Sequence, residues 1–420
     1  MSNNASHTPG RRALQSLNFF MADMQAGVGP FLGVFLLAHG WQSGSIGTVM
    51  TIGGVAGVLM IAPAGAWVDS SKHKRWLVAV PGICTVFASA VILQSQSFWP
   101  VALSQVATAI AGAAIGPAVA GITLGMFRQS GFNRQIGINQ AYNHAGNAIG
   151  AGLSGFLGWK FGLPAVFYLA VAFAIASIVS VFAIPRNCID DRVARGLQPK
   201  GEDQDSASGL SVLLRCKPLL VLAAALAFFH LGNAAMLPLY GLAVVAAKQG
   251  DPSAFVAATI VVAQVTMVLT ALLAMRMSES RGLWLVMLVS FIALPIRGLV
   301  AAHFINSWGV FPVQILDGVG AGLQSVAVPA LVARILNGTG RVNVGQGAVM
   351  TVQGVGASLS PAIGGWLAQW YGYGPVFEIL GAFAVGSVVI WLLFASALRP
   401  ACADRDARAK SSPSLVPEST

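Results

Sequence analysis

Three ionisable residues stand where the surrounding sequence is apolar: Asp23 in FFMADMQAGVGPF, Arg297 in LPIRGLV and Asp317 in QILDGVGAG. A charge at mid-bilayer costs about 2.5–3.5 kcal/mol on insertion scales, so each must face protein or water and is expected to serve a purpose. Desolvation opposes ionisation of a buried acid and can poise it to take and release a proton. Asp23 has no partner nearby in sequence and is the leading proton acceptor. Arg297 is long enough to reach toward Asp317, and such a pair serves as readily as a structural bridge as it does as a coupling element.

Uncharged polar side chains gather in the same apolar runs. NRQIGINQAYNHAGNAIG sets Asn139, Asn143 and Asn147 four residues apart, one face of a helix, with Gln140 and His144 on a neighbouring face. Gln25 lies near Asp23, His230 and Asn233 share FFHLGNAAMLPLY, and Gln105, Gln314 and Gln353 stand in other runs. Such groups can hydrogen-bond a solute, or they can join helices at about 0.6–2 kcal/mol each. The second role explains one or two of them more easily than five on one segment. His230 is of the type that titrates near neutral pH, and a satisfied buried histidine is an equal reading. No HExxH, paired-cysteine motif or phosphate-binding glycine loop occurs, so neither an enzyme nor a metal or other cofactor is expected.

Elements able to hold these groups inside a membrane follow from composition. Charged residues are 9% of the 420 and hydrophobic ones 56%, with a mean hydropathy of +0.73. A soluble chain could not hide that much apolar surface behind so few charges. Segments of about 20 apolar residues, enough to cross roughly 30 Å of hydrocarbon, fall at about 14–37, 46–68, 76–95, 98–126, 136–158 and 164–184, then at about 218–246, 253–275, 283–302, 306–333, 343–369 and 375–398. They lack the alternation of barrel strands. The fold class is therefore all-α, with twelve transmembrane helices. Of 24 Lys and Arg, only Lys160 and Lys248 fall in loops on one side and Arg297 within a run. The positive-inside rule puts the remaining basic loops and both termini in the cytoplasm. The net charge of +10 is thus a topology device, and nucleic acid is not an expected partner. Cys84 is intramembrane while Cys188, Cys216 and Cys402 face the cytoplasm, so no disulfide is expected.

The longest polar stretch, 186–217, divides the chain in two. Gly146, Gly155, Gly162 and Phe167 match Gly356, Gly365, Gly372 and Phe377 at a separation of 210 residues, and Asn143 matches Gln353. Parallel repeats of six helices place a solute site between them near the midplane. The expected layout is a tail at 1–13, bundles at 14–185 and 218–400, a linker at 186–217 and a disordered tail at 401–420.

One short stretch, GAWVDSSKHKRW, concentrates charge between the second and third runs. Gly65, Asp69 and Lys74, followed by Arg75, resemble the signature loop of the major facilitator superfamily, while Ser70, Lys72 and His73 depart from it. With twelve helices, a central linker and a halfway repeat, the resemblance covers nearly the whole chain. It implies two pseudo-symmetric six-helix bundles, alternating access, a small-molecule substrate, protons as coupling partner and a monomer in the bacterial inner membrane. It makes the loop a cytoplasmic gate, with Asp69 facing the eleventh helix. It also implies that helices one, four, seven and ten line the cavity, bringing in Asp23, Gln105, His230, Asn233, Gln314 and Asp317, with helices five and eleven adding Asn143 and Gln353. Many proton-driven exporters of the family carry an Arg where this chain has Gln105, so a mechanism relying on that Arg does not transfer. Proton-coupled efflux of a drug or metabolite leads, uptake by symport is the alternative, and a transporter-like sensor is the rival of another class.

Overall fold

The structure, a computed structural model, describes residues 8–26, 28–191, 193–195, 215–249, 251–336 and 342–402; the side chains of 8, 23–26, 28, 29, 62, 69, 70, 129–134, 137, 195, 279, 342–344 and 401 are outside that description. The carboxylates of Asp23 and Asp69 and the amide of Gln25 lie among these, as do most of the 186–217 linker and the tail beyond Cys402.

The described residues form fifteen α-helices: α1 (Thr8–Ala26), α2 (Val28–Ala38), α3 (Ser43–Ser70), α4 (Lys74–Gln94), α5 (Phe98–Gly112), α6 (Ile115–Phe161), α7 (Pro164–Ala183), α8 (Lys217–Asn233), α9 (Met236–Ala246), α10 (Pro252–Arg281), α11 (Leu283–His303), α12 (Val310–Ile335), α13 (Val342–Tyr371), α14 (Tyr373–Leu393) and α15 (Ala395–Cys402). Among the described residues, nine helical segments are long and apolar enough to cross a membrane. The remaining three crossings are α1 with α2, the second limb of α6, and α13. The last two are the segments whose amides dilute their hydropathy.

Among the described residues, two sequence runs differ from single helices. The fourth breaks at Ala113–Ala114 and the seventh at Ala234–Ala235. Proline supplies the cause. It has no amide to donate to the carbonyl four residues back, and Pro117 and Pro238 stand four residues after Ala113 and Ala234. The fourth and fifth runs are joined in α6, whose two limbs meet at Arg128, the one residue there with a non-helical backbone (φ 53°, ψ −178°).

The packing repeats as the sequence does. In the first half α1 lies on α6 and α7, α5 on α3 and α4, and α4 on α7. In the second half α8 lies on α13 and α14, α12 on α10 and α11, and α11 on α14. Each pairing in one half has its counterpart in the other, giving two pseudo-symmetric six-helix bundles. The halves meet through α3 against α13, α6 against α10, and α2 against α9.

These contacts gather at one end of the molecule. One apolar core fills the second half and continues into the first through Phe31, Phe35, Ile46 and Phe167. A separate core, with Leu14, Leu17, Val68, Leu77, Ile122 and Ile184, occupies the basic end of the first half alone. The halves therefore share a core at the far end and have separate ones at the basic end.

Candidate functional site

The break between α8 and α9 sits beside the buried charges. Asn233 is the last residue of α8, and its Oδ1 accepts a hydrogen bond from Arg297 Nη1 at 2.6 Å. The same nitrogen donates to Asp317 Oδ1 at 2.8 Å, and Arg297 Nη2 donates to Gln314 Oε1 at 3.4 Å. Three crossings thus converge on one guanidinium. Arg297 is fully buried and the Asp317 side chain is 15% exposed, which leaves the carboxylate as the cluster's reachable face. Bringing the charge and its acceptors together offsets the cost of taking a cation into an apolar bundle. Among the described residues, Arg297 Nε and Gln314 Nε2 have no hydrogen-bond partner. His230 lies one turn before Asn233 on the same face of α8. The amide freed at the break is also caught, since Ala235 N donates to Ser360 Oγ of α13 at 2.9 Å.

The first half holds no such charge cluster among its described side chains; it holds a cavity. A space of about 540 Å³ lies among α3, α4 and α5, walled by Met50, Gly54, Thr85, Ser89, Gln105 and Thr108 among others, with no charged residue on its wall. Thr85 and Thr108 turn their hydroxyl protons to their own helices, at Pro81 O (3.0 Å) and Ser104 O (2.9 Å). The polar character offered to the space is therefore weak. Gln105 is the one residue of the sequence-derived set on this wall.

The polar stripe of the fifth run divides in two. Asn139 is spent inside the first half, where its Oδ1 accepts from Gln135 Nε2 (2.9 Å) and its Nδ2 donates to Thr123 Oγ1 (3.0 Å). Asn143 Nδ2 reaches Asn18 O at 3.5 Å, and Asn147 is buried. Asn139 thus joins the two limbs of α6, and Asn143 links α6 to α1. Gln140 is exposed and Gln353 half-buried. His144 does something else: its Nδ1 meets Gln264 Oε1 of α10 at 3.1 Å, bridging the halves.

At the far end the seal is made by α3 and α13. Trp366 Nε1 donates to Thr48 Oγ1 at 3.0 Å, Ala362 N to Thr51 Oγ1 at 2.9 Å, and Gly44 N to Gln369 Oε1 at 3.3 Å. Gln369 Nε2 also donates to Gln42 Oε1. The helices touch backbone to backbone because Gly47 and Gly365 lack side chains; a methyl at Gly47 would overlap Pro361 O, and one at Gly365 would overlap Ser43 O. Toward the basic end a methyl at Gly65 of α3 or at Gly347 of α13 would meet nothing.

The charged loop at that end is tied to its own half. Lys74 is buried, and its Nζ donates to Val68 O (3.0 Å) and Ser71 O (3.1 Å). Arg75 Nη1 donates to Ile184 O (2.8 Å) and Phe182 O (3.5 Å). Both cations meet the carbonyl ends of helices, α3 and α7, where the helix dipole favours positive charge.

Several of these residues escaped the sequence reading: Gln135, Gln264, Ser360, and the Gln42–Thr48–Thr51–Trp366–Gln369 seal. Gln264 carried a signal, a lone amide in an apolar run. The seal residues carried none, because polar residues near run ends are ordinary.

Comparison with known proteins follows the same lines. The family model described as Major Facilitator Superfamily matches residues 14–296 and 245–417. The uncharacterized MFS-type transporter Rv2456c of Mycobacterium tuberculosis (strain ATCC 25618 / H37Rv) is 37% identical over 406 residues, 96% of each chain; MT2531 of strain CDC 1551 / Oshkosh gives the same figures. Among solved structures, the nucleoside transporter NupG superposes with a TM-score of 0.73 at 14% identity, covering 92% of this chain and 98% of its own. A bacterial homologue of the human lysosomal transporter Spinster, inward-facing and unoccupied, superposes with a TM-score of 0.70 at 16% identity, covering 96% and 100%.

Proposed function

The chain belongs to the Major Facilitator Superfamily, and from that premise we propose that it moves a small organic solute across the bacterial inner membrane by proton-coupled alternating access. The observation that carries the reading is the asymmetry of the two ends: α3 and α13 are joined backbone to backbone at one, while at the other the first half has a core of its own and Gly65 and Gly347 face open space. With the basic loops and both termini in the cytoplasm, this conformation is open inward. Closing the basic end while breaking the far seal would expose the same interior to the opposite side. The domain layout from the sequence, bundles at 14–185 and 218–400 about a cytoplasmic linker, suits such rocking.

The uncharged wall of the first-half cavity favours a neutral, weakly polar solute, with Gln105 as its hydrogen-bonding partner. In the second half the Arg297–Asp317 pair is the anchor. Its exposed face is Asp317, which can respond to a proton or a solute while Asn233 and Gln314 keep the guanidinium in place. Asp23 remains the leading proton acceptor in the first half. Gly65, Asp69, Lys74 and Arg75 form the gate loop, with Asp69 meeting α13 when the basic end closes. Export is the proposed direction, following the family resemblance.

Flux in proteoliposomes under an imposed pH gradient tests the reading. Gradient-driven solute accumulation is expected in wild type, and Asp23→Asn is expected to abolish it while leaving solute exchange partly intact. Equal pH dependence in both proteins would remove Asp23 from coupling. No flux for a broad solute panel, with ligand binding retained, would favour a sensor.

A further inference from the structure

A second pocket, of about 270 Å³, opens at the basic end of the first half, apart from the solute pathway. Its wall includes Lys72, His73, Arg75, Trp76, Arg186 and Asp191. Lys72 and Arg186 are exposed, and neither forms an ion pair among the described residues. Asp191 is the one acid on the wall, against several cations. Arg75 is held in place by its bonds to Ile184 O and Phe182 O and lies 5.7 Å over the Phe182 ring. Arg75 thus anchors the floor, and Lys72 and Arg186 at its rim are open to solvent.

What surrounds the pocket selects the occupant. Trp76 is 48% exposed and packs edge-on against Phe182 at 4.9 Å. It heads a row of exposed apolar residues, Val80, Ile83, Phe87 and Val91, that recurs at helical spacing down α4. Such a row faces acyl chains, and a Trp at its head marks headgroup depth. A phosphate held by Lys72 and Arg186 would sit directly above chains lying along that row. The symmetry-related connection between α10 and α11 is built otherwise: Arg399 lies 4.6 Å over Trp284 and covers the ring whose counterpart Trp76 leaves open.

We propose that the pocket of Lys72, Arg75, Trp76 and Arg186 binds the phosphate headgroup of an anionic phospholipid of the leaflet next to the basic end. The lipid would clasp the α3–α4 connection to the chain leaving α7, steadying the first half as a unit.

The test uses the full chain purified in uncharged detergent, titrated with phosphatidylglycerol, phosphatidylcholine or inorganic phosphate and read by thermal melting and by native mass spectrometry. Phosphatidylglycerol is expected to bind saturably and raise the melting temperature; the other two are not. Lys72→Ala with Arg186→Ala should raise the half-saturating lipid concentration about thirtyfold, about fivefold per cation removed. Both residues are exposed, so the variant is expected to fold, and its melting temperature without lipid checks this. Arg276→Ala with Arg281→Ala, at the symmetry-related connection, should leave the titration unchanged. Equal binding by the Lys72/Arg186 variant, or an equal loss in the Arg276/Arg281 variant, would overturn the proposal. Stabilisation by inorganic phosphate as strong as by lipid would overturn it in favour of a soluble anion.

Discussion

Replacing Asp317 with Asn removes the counter-charge of a guanidinium that is entirely out of solvent. Arg297 Nη1 would keep Asn233 Oδ1 at 2.6 Å, and Nη2 the weaker contact to Gln314 at 3.4 Å, but no anion would remain. Breaking a buried pair from one side costs about 3–5 kcal/mol. Because the Asp317 side chain is 15% exposed and partly within reach of water, the lower end, about 3 kcal/mol, is appropriate. An ordinary intramembrane hydrogen bond would cost only about 0.6 kcal/mol, so the two accounts are separable. Arg297→Gln should cost a similar amount by stranding the carboxylate. The double variant Arg297→Gln, Asp317→Asn removes both charges, and its cost should be no more than that of either single change, giving a coupling of about 3 kcal/mol. Reversible unfolding in mixed micelles, titrated with an ionic detergent, measures all four proteins. If the two single costs simply add to within about 0.5 kcal/mol, the pair is not a coupled unit and the reasoning fails.

Three further outcomes follow from single contacts. Gly47→Val should force α3 away from Pro361 and raise thiol-reagent access to a cysteine placed between the halves from the far end; unchanged access would show that the glycine contact does not make the seal. Ser360→Ala strands the Ala235 amide and should cost about 1–3 kcal/mol, by the same unfolding titration; a cost near zero would mean that the break finds another acceptor. Burial pushes the Cys402 thiol up to about 12, with the nearby Arg334 charge pulling it down only in part. The thiol should therefore stay protonated at neutral pH, its alkylation by iodoacetamide rising only as pH climbs toward that value. Modification of the Cys402 peptide at pH 8 as fast as that of a free cysteine, followed by mass spectrometry, would contradict its burial.

Much of the architecture was legible because it rests on run length and charge placement. Runs long enough to cross and the repeat near 210 residues match the helices and the paired packing of the two halves. Pro117 and Pro238 also forecast breaks, since the missing amide acts locally, although the runs read as continuous by hydropathy alone. The Arg297–Asp317 contact was within reach of sequence because a long side chain and an acid in adjacent apolar runs have few other partners. Asn233 and Gln314 stood among the polar residues, but nothing in their spacing tied them to the guanidinium; that required the packing of α8, α11 and α12. Helix periodicity alone did not assign Asn139 its partners. A spacing of four puts three asparagines on one face, yet the same face can meet neighbouring helices along its length, and Thr123 and Gln135 satisfy the first of them. The far seal was invisible because Gly47 and Gly365 matter through what is absent, and their partner is backbone hundreds of residues away.

The central claim is that transport requires the α3–α13 seal to open, and a crosslink across it tests that most directly. Gln42 and Gln369 are exposed and hydrogen-bonded to each other across the halves. With Cys84, Cys188, Cys216 and Cys402 replaced by Ser, the Gln42→Cys, Gln369→Cys protein would be bridged with a short bifunctional thiosulfonate and assayed for flux in proteoliposomes. Bridging should stop flux, and reduction should restore it. A bridged protein that carries solute at the unbridged rate would contradict the account.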